Sequence, residues 1–227
     1  MVIGIIGAMD IETEKLKQRL ENTTTSIIAK MNFCSGKVGK NQVVICNCFE
    51  GKVNAAVGTQ LLISKFNVDI VINIGVAGGV SKELNICDLV VATSAVEFDL
   101  DTTVLGYEQG YVFGLQRVDM ECDNDISLKL NSIASKYGNT RFGKIASSDK
   151  FISDTSITEM LDKKFSAIAV DMETASICHV CNLNNVPFGA IRAISDNCSN
   201  MEYKEFLEIS LEKLDKIMYE FIEIINK

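Results

Sequence analysis

The sequence predicts a single-domain α/β protein, a mixed and mostly parallel sheet flanked by helices, and three observations predict it. The candidate strands are apolar along nearly their whole length, as strands covered on both faces are. They alternate with segments of helical spacing, the pattern of parallel crossovers. The 227 residues, 47% of them hydrophobic, contain no Pro/Gly/Ser-rich linker and no internal repeat, so one domain over residues 1–227 accommodates them. That apolar fraction excludes a disordered chain, and the lack of a glycine or heptad period excludes collagen and coiled coil.

Taken in order, Val2–Ile6 reads as a strand and Asp10–Leu20 as a helix with Ile11, Leu16 and Leu20 on one broad face. Ser26–Asn32, Asn32–Lys37 and Gln42–Cys48 read as strands joined by tight turns, the second at Gly39-Lys40-Asn41. Helical spacing resumes over Lys52–Phe66, and the apolar strand Asp69–Ile74 runs into the glycine loop Gly75–Gly79. Leu89–Ala92, Arg141–Ser147, Ala167–Val170 and Val186–Ser195 complete the strands, the last opened by Pro187, the single proline. Asp125–Tyr137 and Met172–Asn182 are helical. Met201–Asn226 is a long amphipathic helix with Phe206, Leu207, Leu214, Ile217, Met218, Phe221 and Ile225 as its inner stripe. Ser94 to Asp123 shows few helix signals, and a connection that long usually serves a site or an interface.

Charge removes several functions. Lys and Arg number 22 against 30 Asp and Glu, a formal net charge of −8, and no stretch gathers enough cations to offset the counterion cloud of nucleic acid. The same balance disfavours an anionic membrane surface. No apolar run reaches the ~18–20 residues of a span. The apolar start has no basic n-region and reads as a strand rather than a signal peptide, so a cytoplasmic location is expected.

The eight cysteines are then expected to be small buried hydrophobes. Cys178-His179-Val180-Cys181 offers soft metal ligands, but no second pair follows at zinc spacing and the segment is apolar at helical spacing, which favours packing. Cys198 lies near the candidate site without an evident base. His179 is the single histidine, which excludes a multi-histidine metal cage; no metal is expected, and proton chemistry falls to carboxylates.

Ligands of such sheets gather beyond the carboxyl ends of the strands. Those ends offer Gly7-Ala8-Met9-Asp10-Ile11-Glu12, Gly75–Gly79, Ser148-Asp149-Lys150-Phe151-Ile152, Asp171-Met172-Glu173 and Ser195-Asp196-Asn197. Singly, Asp10 and Asp171 are ordinary first-turn acids. Jointly they put glycines, acids and an aromatic on one rim. Gly4-x-x-Gly7 lacks the dinucleotide fingerprint, and no Lys-Ser/Thr follows a glycine run.

Gly4-Ile5-Ile6-Gly7-Ala8-Met9-x-x-Glu12, Asn73-x-Gly75-x-Ala77-Gly78-Gly79, Asp149-x-Phe151-Ile152, Val170-x-Met172-Glu173 and Arg192-Ala193-Ile194-Ser195-Asp196 together resemble the 5′-methylthioadenosine/S-adenosylhomocysteine nucleosidases, of nucleoside-phosphorylase-like fold. The resemblance runs in register to about Phe206. It implies hydrolysis of the N-glycosidic bond of a 5′-thio-substituted adenosine in a homodimer, without cofactor. It implies that Glu12 activates the water and that Asp196, oriented by Ser195, protonates adenine N7. Glu173 would hold the ribose hydroxyls beside Met172. Phe151 would stack on adenine, the Ile152 backbone would read its edge, Gly78 would give a backbone contact, and Met9 and Phe206 would line the pocket. The 94–123 segment would contribute to the neighbouring subunit's site.

The chemistry is coherent without the resemblance. Breaking C1′–N9 builds positive charge on the sugar and negative charge on the base, so anions beside one and an acid beside the other stabilise both. A carboxyl acid at pH 7 needs a pKa shift of about three units, roughly 4 kcal/mol, or else gains its proton only with substrate bound; both remain open. A phosphorylase would need Arg or Lys around a phosphate dianion. The loop after the first strand has no cation until Lys15 and presents Glu12 instead, so hydrolysis is expected over phosphorolysis, and over a nucleoside-binding module without catalysis.

Several positions depart from the family pattern. Val76 replaces a hydroxyl residue, and Thr102, Leu105 and Phe113 differ in the partner-contributed wall. Glu50 stands where an apolar residue meets the 5′-substituent. It reads either as a solvated loop acid or as a group that meets a cation, such as the amino end of a homocysteine tail.

Overall fold

The structure, a computed structural model, describes residues 1–196 and 203–225; the side chains of 203–206 are outside that description. Strand β1 (Val2–Gly7) leads into helix α1 (Asp10–Gln18), followed by the meander β2 (Glu21–Ile28), β3 (Met31–Val38) and β4 (Asn41–Asn47). Helix α2 (Lys52–Phe66), β5 (Ile70–Gly79), β6 (Leu89–Glu97), β7 (Met120–Glu121) and α3 (Asn124–Ala134) come next. The chain continues through β8 (Thr140–Ser147), α4 (Thr155–Met160), β9 (Ala167–Asp171), α5 (Thr174–Asn184), β10 (Phe188–Asp196) and α6 (Tyr203–Ile224).

The strands form one sheet in the order β10-β6-β8-β9-β5-β1-β4-β3-β2, and β10 also pairs with β5. Five strands therefore close on themselves. Strand β5 makes this possible because it serves two partners along its length. Its first half pairs in parallel with β1, and Gly78 and Gly79 pair with Val170 and Ala169 of β9 in antiparallel sense. β1, β4, β5 and β10 pair in parallel, as do β6, β8 and β9, and the antiparallel pairing of Gly78 and Gly79 with Val170 and Ala169 brings the carboxyl ends of β5 and β9 together where the two sets meet.

Hydrophobic burial fixes the layers. On one face α6 lays Leu211, Leu214, Ile217, Met218 and Phe221 against Ile72, Ile74, Ile191 and Ile126. On the other, α2 and α5 bury Ala55, Leu62, Ala175, Ile177, Cys178 and Cys181 against Ile6, Val71 and Ile194. Cys178 and Cys181 thus pack as core residues, while His179 binds Glu97 through Nδ1 at 2.8 Å. Among the described residues no helix is long and apolar enough to cross a membrane.

Several boundaries differ from the sequence reading. The first hairpin turns at Ala29 and Lys30, both at positive φ, so the strands are 21–28 and 31–38 rather than 26–32 and 32–37. Neither residue is a turn former, and β2 is exposed at nearly every position, so it carries no alternation to read. Strand β6 extends to Glu97 and Ala95 pairs with Met120, which leaves the irregular segment shorter than 94–123. Helix α4, capped where Asp154 Oδ1 accepts from Ser156 N at 2.8 Å, was not expected. Helix α5 begins at Thr174, leaving Met172 and Glu173 outside its first turn.

Phe221 is fully buried at the centre of the α6 layer. Phe221→Ala should lower the unfolding free energy by about 3–5 kcal/mol, seen as a drop in the urea midpoint at unchanged m-value.

Candidate active site

A cavity of about 390 Å³ opens at the carboxyl ends of the strands. Met9, Glu12, Glu50 and Val76 line it from the β1, β4 and β5 ends; Gly78, Phe151, Ile152 and Met172 line its middle, and Glu173, Ser195 and Asp196 close it. Eleven of the twelve residues expected from the sequence therefore meet around one space. The twelfth, Phe206, and also Cys198, lie outside the described residues or side chains.

Glu12 is the third residue of α1, where a glutamate reaches back to the first exposed N–H groups of its helix. Its Oε2 accepts from Ala8 N at 2.8 Å and Met9 N at 3.0 Å, and its Oε1 accepts from Val76 N at 3.2 Å. One carboxylate thus links the β1 loop to the β5 glycine loop. Asn47 steadies the turn by donating to the Met9 carbonyl at 3.0 Å and to Thr13 Oγ1 at 2.7 Å.

Arg192, on β10, is 1% exposed. Its Nη2 lies 2.6 Å from Asp171 Oδ2 and 3.6 Å from Glu173 Oε2, and donates to Asn73 Oδ1 at 2.7 Å. Its Nε donates to Thr174 Oγ1 at 3.0 Å. Burial works against this charge, yet Asp171, Glu173 and Glu12 outweigh it and hold the guanidinium charged. Gly75 is what lets Arg192 and Glu12 converge: a Cβ there would sit 2.1 Å from Arg192 Nη1 and 2.4 Å from Glu12 Oε1.

One buried cation therefore faces three buried acids, and the acids feel the imbalance. Burial pushes the Glu12 carboxyl above the ordinary carboxylate range, against the pull of Arg192 and three backbone N–H groups. Burial pushes Glu173 up to about 8, opposed by Arg192 and reinforced by Asp171. Such displaced carboxyls in a cleft are the signature expected of groups that handle protons or stabilise a cation. Glu173 also accepts from Gly51 N at 3.0 Å, so the start of α2 holds it toward the cavity.

At the far wall Asp196 is 2% exposed, and Ser195 Oγ donates to its Oδ2 at 2.8 Å. The pairing expected from sequence is present. Phe151 is half exposed at the rim, Ile152 is buried, and Val76 presents methyl groups where a hydroxyl was expected. Sequence reasoning gave no role to Arg192, Asn47 or Thr174, read Gly75 only as part of a loop that lets a ligand approach the backbone, and read Asp171 as an N-cap or first-turn acid. Arg192 was quoted within a motif, but only the fold shows that its side chain runs beneath the cavity.

The sequence profile of the phosphorylase superfamily matches residues 2–223. A relative from Halalkalibacterium halodurans, a 5′-methylthioadenosine/S-adenosylhomocysteine nucleosidase, is 38% identical over 210 residues, covering 91% of each chain. The S-adenosylhomocysteine nucleosidase of Streptococcus pyogenes, solved with 5-methylthiotubericidin, superposes with a TM-score of 0.95 at 29% identity, covering 100% of this chain and 98% of that one. The futalosine hydrolase of Helicobacter pylori superposes at 0.93 with 29% identity over 98% and 97% of the two chains.

Arg192→Met should cost about 3–5 kcal/mol of unfolding free energy at neutral pH, because buried carboxylates lose their counter-charge. Without the guanidinium those carboxyls bind protons more tightly when folded than unfolded. The deficit should therefore grow as pH rises and shrink as it falls, which denaturation at several pH values will show.

Proposed function

The chain belongs to the phosphorylase superfamily and, within it, to the 5′-methylthioadenosine/S-adenosylhomocysteine nucleosidases, and from that premise we propose how its residues divide the reaction. The enzyme hydrolyses the N-glycosidic bond of a 5′-thio-substituted adenosine, releasing adenine and the thioribose. The observation that carries the assignment of roles is the convergence of Glu12, Glu173 and Asp196 on one cavity.

In this reading water occupies the space between Glu12 and the sugar. As the C1′–N9 bond breaks, its electron pair passes to the purine and a proton moves from Asp196 to N7. The water oxygen bonds to C1′ and its proton passes to Glu12. Positive charge on the sugar then grows beside the Glu12 carboxylate. A preorganised negative charge at that point favours the transition state over the neutral substrate. Glu173 accepts from the ribose hydroxyls, Phe151 stacks on adenine, the Ile152 and Gly78 backbones bind its edge, and Met9, Met172 and Val76 enclose the sugar. Ser195 keeps Asp196 aimed at the base.

Hydrolysis rather than phosphorolysis is supported by the same electrostatics. Arg192 is engaged by Asp171, Glu173, Asn73 and Thr174, and Glu12 occupies the place where a phosphate dianion would need cations. A homodimer is supported by the apolar side chains of the 98–119 segment: Val104 is 91% exposed, and Leu105, Tyr107 and Phe113 are exposed beside it. Val53 on α2 is exposed as well, and a second copy would cover apolar side chains of this kind. We place the enzyme in the cytoplasm, without cofactor or metal.

Adenine release from 5′-methylthioadenosine tests the assignments. Glu12→Gln and Asp196→Asn should each reduce kcat by about 10² to 10⁴-fold while substrate binding persists, and added phosphate should leave the sugar product unphosphorylated. Wild-type turnover in either variant removes that residue's role. In sedimentation velocity the wild type should run as a dimer and Val104→Asp should shift it toward monomer.

A further inference from the structure

We propose that Asp171 is a positioning residue for ribose recognition: it holds the Arg192 guanidinium off Glu173 and so leaves Glu173 Oε2 free for the sugar hydroxyls. The inference rests on the nucleosidase reading, in which Glu173 binds those hydroxyls, and names the residue that keeps it available.

The guanidinium has few protons on the side facing these acids. Arg192 Nη2 carries two. It lies 2.6 Å from Asp171 Oδ2 and 2.7 Å from Asn73 Oδ1, and these acceptors take both protons. The Asn73 amide cannot turn away, because its Nδ2 donates to the Ile6 carbonyl at 2.9 Å. The single Nε proton goes to Thr174 Oγ1 at 3.0 Å. Glu173 Oε2 stands 3.6 Å from Nη2, too far for a hydrogen bond. Glu173 Oε1 accepts from Gly51 N at 3.0 Å, so Oε2 is the oxygen that this cavity-lining carboxyl keeps open.

Asp171 is itself fixed from two elements. Its Oδ1 accepts from Ser147 Oγ, and from Glu173 N and Thr174 N at 3.2 Å each. Its Oδ2 accepts from the Thr174 hydroxyl as well as from Arg192. Ser147 Oγ accepts in turn from Ala175 N at 2.9 Å, so the end of β8 and the start of α5 hold the carboxylate together. One oxygen serves the helix and the other draws the guanidinium.

The competing arrangement is close at hand. A shift of about 0.8 Å would close the 3.6 Å gap to the ~2.8 Å of a charge-assisted hydrogen bond. Glu173 Oε2 would then be occupied by Arg192. The Glu173 carboxyl carries the mark of a group the guanidinium has not captured: burial pushes it up to about 8, with Asp171 reinforcing the rise and Arg192 opposing it. A full pair with Arg192 would draw it down instead.

The test compares kcat/KM for 5′-methylthioadenosine with kcat/KM for its 2′-deoxy and 3′-deoxy analogues. Adenine release by the wild type, and its preference for the ribose compound, report on the nucleosidase reading alone. Asp171→Asn keeps a carbonyl oxygen for the N–H groups of α5 but turns an amide N–H on Arg192. Asp171→Ser keeps a capping hydroxyl and likewise removes the charge. In both, Arg192 should turn to Glu173, and the preference over at least one analogue should fall about tenfold. Combining Asp171→Asn with Arg192→Gln leaves no guanidinium to occupy Glu173, so the preference should return to within about threefold of wild type. Ser147→Ala removes a hydrogen bond from the other Asp171 oxygen and leaves the charge, so the preference should stay within about twofold. A preference held within about twofold of wild type in both neutral variants overturns the proposal. So does an equal fall in Ser147→Ala, or a double variant that stays at the level of Asp171→Asn.

Discussion

The buried guanidinium of Arg192 is the constraint from which the rest of the site follows. It sits beneath the cavity with Asp171, Glu173 and Glu12 around it, and a lone buried charge would cost the fold several kcal/mol. Three acids against one base leave the opposite problem, and burial answers it by pushing the Glu12 and Glu173 carboxyls upward, Glu173 to about 8. In the proposed mechanism that raised proton affinity is what lets Glu12 take the proton of the attacking water. Gly75 is the local condition for the arrangement, since any side chain there would separate Arg192 from Glu12. The closed set of β10, β6, β8, β9 and β5 is the global one, since it brings β10 beside β5 and so Arg192 beneath the glycine loop.

Much of this was legible in the chain. Apolar strands such as 70–74 and 188–194 state a doubly covered sheet, and the acids that follow each strand state where a ligand binds. The sequence reading brought together every expected lining residue whose side chain is described. What escaped it depends on geometry that no local pattern carries. Arg192 reads as one cation in an apolar strand; its meaning comes from Asp171, Glu173 and Thr174, distant in the chain and adjacent in space. Asn47 reads as the end of a strand, yet it holds the turn that carries Glu12. The β2–β3 turn escaped for a simpler reason, because Ala29 and Lys30 take a left-handed conformation without the residues that announce one.

The cavity mouth follows a different logic from the floor. At the floor every charge is bonded and buried, which fixes the chemistry. At the mouth Glu50 and Lys150 are exposed. Proteins named for S-adenosylhomocysteine and for futalosine superpose on this chain over almost their full lengths. The exposed apolar side chains of the 98–119 segment form a third region, the one to which the proposed dimer contact is assigned.

The central claim, that buried acids in excess of Arg192 run the reaction, meets its most direct test in the pH dependence of kcat/KM with 5′-methylthioadenosine. Glu12 must be ionised to accept a proton, and burial holds its carboxyl above the ordinary range. Activity should therefore fall as pH decreases, along a limb lying above the ~4.3 of a free glutamate, and that limb should be absent from the residual activity of Glu12→Gln. A profile that stays flat down to about pH 4, or a limb unchanged in Glu12→Gln, would contradict the account.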